Sequence, residues 1–242
     1  MYMLVSHETP VSFLETSRRY NDYDYALVHL FETNPEYYSF FKASKTLGRE
    51  VLLDNSIFEL GEAFDTKKFV EYIEELEPTY YVVPDVLEDG FKTRSSFHKF
   101  CLTYGDLPGL KISFDYSWYK SIAATKLNQY GPVDTLEKQC KGRQRFISML
   151  QEDKIWNYDK PHHLLGCSLA KEFKHYTQEK SIRSLDTSNP VVAGILNKRY
   201  YKDIGLLDKP SGLLADLITA DLNKDQVADI LYNVDEFKNL LR

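Results

Sequence analysis

The sequence lacks several patterns that would place the protein in a particular class. Its three cysteines, among 242 residues, show no C-x-x-C spacing, so we expect free thiols and neither a disulfide framework nor a metal site. No stretch approaches the roughly 20 uninterrupted apolar residues of a spanning helix, and the N-terminus lacks the basic-then-apolar pattern of a secretory signal. We therefore expect a cytoplasmic protein that does not enter a membrane.

The chain also lacks an excess of positive charge. Its formal net charge of −6 argues against general coating of nucleic acid but leaves room for a local basic patch. A solvated charged surface is the alternative for any one cluster. The candidate nucleic-acid contacts, in the segments KGRQR and NKRYYK, are Lys141, Arg143, Arg145, Lys198, Arg199 and Lys202.

The chain has enough apolar residues to form a hydrophobic core. Hydrophobic residues make up 43% of the chain and aromatic residues 14%. Closed α/β barrels commonly run to about 250 residues as one unit, which is close to the length of this chain. We therefore expect a single domain over residues 1–242 that ends in helices.

Apolar runs alternate with segments of helical period. Near-continuous apolar runs suit strands covered on both faces of a parallel sheet, and they predict strands at residues 25–31, 50–56, 79–85, 109–115, 145–150, 162–168 and 181–187. The helical period predicts helices at residues 66–76, 92–104, 119–139, 224–231 and 234–241, with Asp65 as the first N-cap. This alternation predicts an α/β fold, a (β/α)8 TIM-type barrel with one irregular strand.

Three aspartates, Asp54, Asp85 and Asp186, each close one of these apolar runs. In alternating strand–helix proteins, the carboxyl ends of the strands carry the chemistry, although an aspartate there can also form a turn or an N-cap. We expect His162 and His163, which open another run, to shape the strand rather than to catalyse.

In their order and context, these segments resemble the tRNA-guanine transglycosylase superfamily, and more closely its small phage and bacterial members related to the DpdA-like DNA transglycosylases. The family's base-binding motif reads D-S-G-G-F-Q, and DNSIFE at residues 54–59 stands in that place. VVPDVLED resembles the family segment A-F-D-E-C, and SLDTSNPVVAG resembles F-D-C-V-x-P-T-R. HLLGCS, with Gly166, resembles L-M-G-V-G. The resemblance covers roughly residues 25–200.

The resemblance implies a role for each aspartate. Exchange of a base at an N-glycosidic bond needs a carboxylate at the sugar carbon and an acid for the departing base. Asp186 is implied as the covalent nucleophile, Asp54 as the acid/base, and Asp85 as the acceptor of hydrogen bonds from a guanine-like base. The other implied substrate-binding residues are Phe58, which would stack on the base, and Asn55, Glu59, Gly166, Gln151, Ser188 and Asn189.

Two departures from the family narrow the expected function. The family's zinc-binding cysteine cluster is absent, so DNA is favoured over tRNA as the polymer that receives a 7-deazaguanine-type base, with no cofactor required. The segment GLKISFD, which ends in Asp115, has no glutamine where the family has one, and Gln151 is the only candidate to replace it. Two alternatives stay open: a hydrolase or transferase acting on a free nucleoside or nucleotide, and a non-catalytic nucleotide-binding barrel.

Overall fold

The computed structural model describes residues 3–87, 89–112, 136–166, 169–207, 210 and 212–242. The chain divides into two compact units, one of Met1–Asp22 with Val133–Arg242 and the other of Tyr23–Pro132. Each unit contains one parallel sheet with helices, which confirms the predicted α/β class. The single domain over residues 1–242 stays a prediction.

The described elements are as follows. The strands are β1 Leu4–His7, β2 Asp24–Leu27, β3 Val51–Asp54, β4 Tyr80–Val82, β5 Leu110–Ile112, β6 His162–Leu164 and β7 Ile182–Thr187. The α-helices are α1 Leu14–Ser17, α2 His29–Thr33, α3 Pro35–Thr46, α4 Ile57–Leu60, α5 Thr66–Leu76, α6 Gly90–Thr103, α7 Leu136–Glu152, α8 Ala170–Lys174, α9 Asn189–Ile195 and α10 Lys224–Leu240. Two short 3-10 helices span Val11–Phe13 and Leu214–Leu217.

The sheet of the Tyr23–Pro132 unit has the order β2-β3-β4-β5, and every pairing is parallel. Its strands are short apolar runs, which suits a sheet covered by helices. Tyr81 is fully buried and its ring meets Phe69 of α5 and Phe100 of α6. Helix α5 begins where the Asp65 side chain accepts a hydrogen bond from the Lys68 backbone N–H at 3.0 Å, as predicted.

The sheet of the other unit has the order β1-β7-β6, again with parallel pairing. Residues that are paired in register point to the same face, and successive residues alternate between faces. One face is apolar: Val5 and Leu185 lie in a buried cluster with Phe173 of α8 and Phe237 of α10. The opposite face is polar, and it carries the side chains described below.

Six of the seven predicted runs overlap a strand, but residues 29–31 of the first run lie in helix α2 and residues 145–150 lie within helix α7. A short apolar run cannot be told from a buried helical segment by periodicity alone, and here helix-forming residues flank it on both sides. Strand β1 was not predicted, and the two predicted C-terminal helices are one helix, α10. Residues 113–115, including Asp115, and residues 119–135 of the predicted helix lie outside the described residues. Within the described part of the chain, no helix is both long and apolar enough to cross a membrane.

Candidate functional site

The carboxyl ends of parallel strands share one edge of a sheet, and in the Tyr23–Pro132 unit that edge carries Asp54, Asn55 and Asp85. Asp54 is the last residue of β3, and Asp85 follows β4 by three residues. All three side chains are buried, with exposed fractions of 7%, 0% and 4%. The structure therefore brings together three of the residues that the sequence singled out.

Asn55 joins the two strand ends. Its side-chain amide donates to Oδ1 of Asp85 at 2.8 Å and to the carbonyl oxygen of Val83 at 3.2 Å. Its own Oδ1 accepts from the backbone N–H of Ile57 at 3.0 Å, at the start of α4. A buried amide with all these partners is fixed in one orientation. Asn55 therefore holds one oxygen of Asp85 in place.

The turn after β3 has a left-handed residue, Ser56, with φ 58° and ψ 27°. Its backbone N–H donates to Oδ2 of Asp54 at 2.8 Å, and its Oγ accepts from the backbone N–H of His29 at 3.3 Å. Non-glycine residues in this conformation are uncommon and concentrate at functional turns. Burial lowers the pKa of His29, and its Nδ1 has no hydrogen-bond partner within the described residues.

Phe58 and Glu59 lie on the short helix α4, just beyond this turn. The Phe58 side chain is 68% exposed, although phenylalanine is usually buried. Glu59 is also exposed. The exposed ring excludes a core role for Phe58, which follows the buried residues Asn55 and Ser56 by three and two positions. An exposed aromatic face beside buried polar groups suits stacking on a planar ligand.

In the other unit, the polar face of the β1-β7-β6 sheet is centred on Asp186 of β7. This carboxylate is 1% exposed. The backbone N–H of Gly166, two residues beyond β6, donates to both of its oxygens at 3.2 Å. Gly166 has φ +62°, the left-handed region that glycine tolerates best. The structure therefore brings Gly166, an implied substrate-binding residue, into contact with Asp186.

His163 of β6 is the second partner of Asp186, although its place at the start of an apolar run predicts only a role in shaping the strand. Its Nε2 lies 3.1 Å from Asp186 Oδ1, and its Nδ1 lies 2.9 Å from Ser184 Oγ. The spacing of Ser184 and Asp186, two residues apart on one strand, was the available signal that they share a face. The contact with His163 depends on the β6–β7 register, which the sequence did not give.

Ser6 lies on the other side of Asp186. The two residues are paired in register on β1 and β7, so their side chains project from the same face. Ser6 is fully buried, and its hydroxyl has no hydrogen-bond partner among the described residues. The polar face therefore places Ser6, Asp186, His163 and Ser184 on three adjacent strands.

Ser188 and Asn189 follow β7 and begin helix α9. Ser188 is half-buried, whereas Asn189 is 5% exposed. The backbone N–H of Asn189 donates to Thr187 Oγ1 at 3.1 Å, and its side-chain oxygen accepts from the Tyr200 hydroxyl. Burial raises the pKa of Tyr200 well above its usual value, so the hydroxyl keeps the proton that it donates. Asn189 therefore contributes to the turn and to helix packing, whereas Ser188 is partly exposed.

Gln151 does not join this site. Its side-chain amide donates to Glu179 Oε2 at 2.8 Å, and Glu179 Oε1 accepts from the Ser181 hydroxyl at 2.7 Å. Ser181 directly precedes β7, so this network lies at the amino end of the strand that carries Asp186 near its carboxyl end. The structure therefore does not bring Gln151 together with Asp186, and its role at the base site stays a prediction. The short separation in sequence between Gln151 and Gly166, which leaves little room for an intervening helix and strand, was the available signal.

The predicted basic contacts differ in their surroundings. Arg143 is largely buried: it donates to the carbonyl oxygen of Leu165 at 2.9 Å and pairs with Glu172 at 3.2 Å. Arg199 pairs with Asp229 at 2.6 Å and lies over the ring of Tyr232. The remaining candidates are Lys198 and Lys202, which are exposed, and Lys141 and Arg145, whose side chains lie outside the described part of the structure.

The charge on Asp186 has unusual surroundings for a buried carboxylate. Among the described residues, neither lysine nor arginine pairs with it. Burying an ionised group without an opposite charge is unfavourable, so such groups are uncommon unless they have a function.

No group of histidine, cysteine, aspartate and glutamate side chains within the described ranges could hold a metal ion. Comparison with models of known protein families and with curated proteins finds no match for the chain.

Proposed function

We propose that the protein exchanges a guanine in a nucleic acid, with DNA favoured over tRNA, for a 7-deazaguanine-type base through a covalent intermediate on Asp186. The observation that carries the proposal is the buried carboxylate of Asp186, which among the described residues is held by a backbone N–H and an imidazole rather than by lysine or arginine. A carboxylate that is oriented but not neutralised keeps its capacity to attack an electron-poor carbon.

The reaction balances with two carboxyl groups and no cofactor. A carboxylate oxygen of Asp186 bonds to the sugar C1′, the C–N bond breaks with its electrons going to the base, and Asp54 gives a proton to the departing base. In the second half the incoming base attacks C1′, its proton passes to Asp54, and the bond to Asp186 breaks. Burial of both carboxyl groups supports this division of roles, because each then has its own local environment.

The turn after β3 supports the resemblance on which the base assignment rests. Ser56 takes the position of a glycine in the family motif, and it adopts the left-handed conformation that glycine favours. Phe58 takes the position of the motif's phenylalanine and is exposed, as a stacking role requires. Asn55 fixes one oxygen of Asp85. Asp85 would accept hydrogen bonds from two groups of the guanine-like base, its ring N–H and its amino group.

The proposed architecture is a (β/α)8 TIM-type barrel of the transglycosylase type. Parallel pairing in both sheets supports it, as does the chain-order succession β2-β3-β4-β5. The pairing of the first strand, β1, with β7 near the end of the chain supports it further, since closure of a barrel requires its first and last strands to meet.

A trapping experiment tests the function. The protein is incubated with duplex DNA, single-stranded DNA or tRNA and a 7-deazaguanine base, and covalent adducts that survive denaturation are measured. We expect an adduct with one polymer for the wild type and for the Asp216→Asn control at an exposed position, and none for Asp186→Asn. Equal adduct from Asp186→Asn would contradict the nucleophile. No adduct from folded wild type would contradict base exchange and favour the non-catalytic nucleotide-binding barrel, which suits the burial of Asp186.

A second candidate is cleavage or transfer at the N-glycosidic bond of a free nucleoside or nucleotide. The ion pairs of Arg143 and Arg199 favour it, because a paired arginine attracts a phosphate backbone less strongly than an unpaired one. Asp229→Asn separates the candidates, since it removes the partner of Arg199. Under base exchange, this variant should bind DNA more tightly than the wild type at low salt. An unchanged DNA affinity, together with release of base from free guanosine, would favour the second candidate.

A further inference from the structure

His163 contacts two side chains of β7 at once. Its Nδ1 meets the Ser184 hydroxyl at 2.9 Å and its Nε2 meets Asp186 Oδ1 at 3.1 Å. The side chains of His163 and Asp186 are 6% and 2% exposed, so protein groups rather than bulk water determine this geometry. The imidazole therefore bridges two residues of one strand from the neighbouring strand.

The chemistry of the partners selects one tautomer of His163. Gly166 donates its N–H to both oxygens of Asp186, which suits an ionised carboxylate that only accepts. Nε2 must then carry a hydrogen and donate it to Asp186. In the neutral imidazole, Nδ1 is then left as an acceptor, and the Ser184 hydroxyl is the group that donates to it. The direction of donation is thus Ser184 to His163 to Asp186.

A second chain of contacts reaches Asp186 through the peptide bond between Leu165 and Gly166. The N–H of this peptide donates to Asp186, and its C=O accepts from Arg143 Nη2 at 2.9 Å. Hydrogen bonds on the two ends of one peptide group polarise each other, so Arg143 strengthens the N–H donor that Asp186 accepts. Arg143 itself is held by Glu172.

We propose that His163 and Arg143 are positioning residues for Asp186, and that together they make Oδ2 its attacking oxygen. The inference rests on the proposed function and assigns residues that neither the composition nor the resemblance had placed there. Oδ1 accepts from both His163 and Gly166, whereas Oδ2 accepts from Gly166 alone among the described residues. Each hydrogen bond that an oxygen accepts draws electron density from it, so Oδ2, which accepts from fewer donors, is the better nucleophile toward the sugar carbon.

Ser184, His163 and Asp186 are also the residue types of a hydrolase triad, but their places in the fold do not suit that role. In a triad the serine attacks, and backbone N–H groups beside it stabilise the oxyanion. Ser184 lies in the middle of β7, is 4% exposed, and has neighbouring strands paired on both sides. The serine is therefore the proton donor to the imidazole, and the aspartate is the residue that reacts.

The first test reads the tautomer without using activity. The chain has six histidines, which are labelled with ¹⁵N and observed by nuclear magnetic resonance. The signals that disappear in the His163→Gln variant are those of His163. We expect Nε2 to be protonated and Nδ1 not, and we expect the Nε2–H proton to move upfield in Asp186→Asn because a neutral acceptor polarises it less. Protonation at Nδ1 instead, or an Nε2–H signal that is unchanged in Asp186→Asn, would overturn the proposal.

The second test compares substitutions that replace one nitrogen at a time. Glutamine places its amide near the position of Nε2, whereas asparagine places it near Nδ1. We expect His163→Asn and His163→Leu to slow adduct formation by about tenfold or more, because each loses the charge-assisted donor. His163→Gln should slow it less. His162→Gln is the matched control, since His162 instead stacks on Trp156 and contacts the Asn157 carbonyl. Equal losses in His163→Gln and His163→Asn would overturn the positioning role.

Arg143 has a parallel test. Arg143→Gln should slow adduct formation at saturating nucleic acid, which lowers kcat, because it weakens the N–H donor to Asp186. A loss confined to KM would instead assign Arg143 to nucleic-acid binding and overturn this part of the proposal. The base-exchange proposal and the positioning proposal can fail independently. A wild type that forms no adduct contradicts base exchange, whereas the tautomer of His163 can still be measured and tests the positioning proposal.

Discussion

The side-chain amide of Asn55 and the carboxylate of Asp85 lie in hydrogen-bond contact, with Nδ2 2.8 Å from Oδ1, in a buried part of the molecule. This contact joins the carboxyl ends of β3 and β4. An amide is well suited to this position because it donates to the carboxylate without neutralising it. Asp85 is thereby held in one orientation.

Asn55→Asp should destabilise the protein in a pH-dependent way. The substitution replaces the donor by a second carboxylate of nearly the same shape, so two like charges meet in a buried site. We expect the free energy of unfolding at pH 7 to fall by about 2 kcal/mol or more. The loss should shrink toward pH 5, because a proton bound between the two carboxyl groups restores the hydrogen bond in the folded state. Urea unfolding at several pH values measures both effects.

The control is Asn157→Asp at an exposed position, where the side-chain oxygen accepts from the Asp159 N–H and a carboxylate can do the same. It should change stability little at any pH. A loss in Asn55→Asp that does not vary between pH 7 and pH 5 would contradict the like-charge explanation.

Gly166→Ala should show the conformational requirement of the turn that holds Asp186. A Cβ at Gly166 meets no atom of the described residues within 4 Å, so we expect the penalty to come from the left-handed φ of +62°. We expect the free energy of unfolding to fall by about 1 kcal/mol. Gly48→Ala is matched, with φ +71° and equally open space, but it lies at the end of α3. Both variants should lose similar stability, and only Gly166→Ala should slow adduct formation. Equal activity in the two variants would contradict a role for the Gly166 turn.

Phe58→Ala should separate binding from stability. Because the ring is 68% exposed, we expect the free energy of unfolding to stay within about 0.5 kcal/mol of the wild type. Phe69→Ala, at a fully buried ring, should lose about 3–5 kcal/mol. If Phe58 stacks on the base, its removal should weaken binding of 7-deazaguanine by about tenfold in a calorimetric titration. A stable Phe58→Ala variant that binds the base as tightly as the wild type would exclude the stacking role.

His7 should make the protein less stable in acid. Burial, the largest cause, lowers the pKa of His7 from 6.5 to about 3, against the opposing hydrogen bond with Asn21. Since the folded state binds the proton less readily than the unfolded state, the stabilisation is complete above pH 6.5 and declines as the pH falls toward 3. The slope is about 1.4 kcal/mol per pH unit, or roughly 2 kcal/mol between pH 6.5 and pH 5.

His7→Asn removes the titrating ring and keeps a donor near the position of Nδ1. We expect the stability difference between the wild type and His7→Asn to change with the slope given above in urea unfolding from pH 7.5 to pH 4.5. His98→Asn, at an exposed histidine, should leave the pH dependence of the wild type unchanged. If the difference in the free energy of unfolding between the wild type and His7→Asn did not change with pH, His7 would take up a proton as readily in the folded state as in the unfolded state, which would contradict the prediction.

Local patterns account for much of the fold. Helix α5 is predicted to the residue, because its apolar face and its cap at Asp65 are both contained in the sequence. The run at residues 145–150 was assigned to a strand because an apolar segment of that length is compatible with either structure. Strand β1 was missed because four residues carry too little pattern, and its partner β7 lies far away in the chain.

For the candidate site, the sequence by itself determined which carboxylates close apolar strands, and so it identified Asp54, Asp85 and Asp186. Only the tertiary structure decided their partners. The contact of Asn55 with Asp85 and that of His163 with Asp186 each join neighbouring strands, and the register of two strands separated by a helix is set by long-range packing. Long-range packing also places Gln151 at the opposite end of β7 and brings Arg143 to the carbonyl oxygen of Leu165. Local residue patterns specify the chemistry that is present, whereas strand register specifies which groups meet.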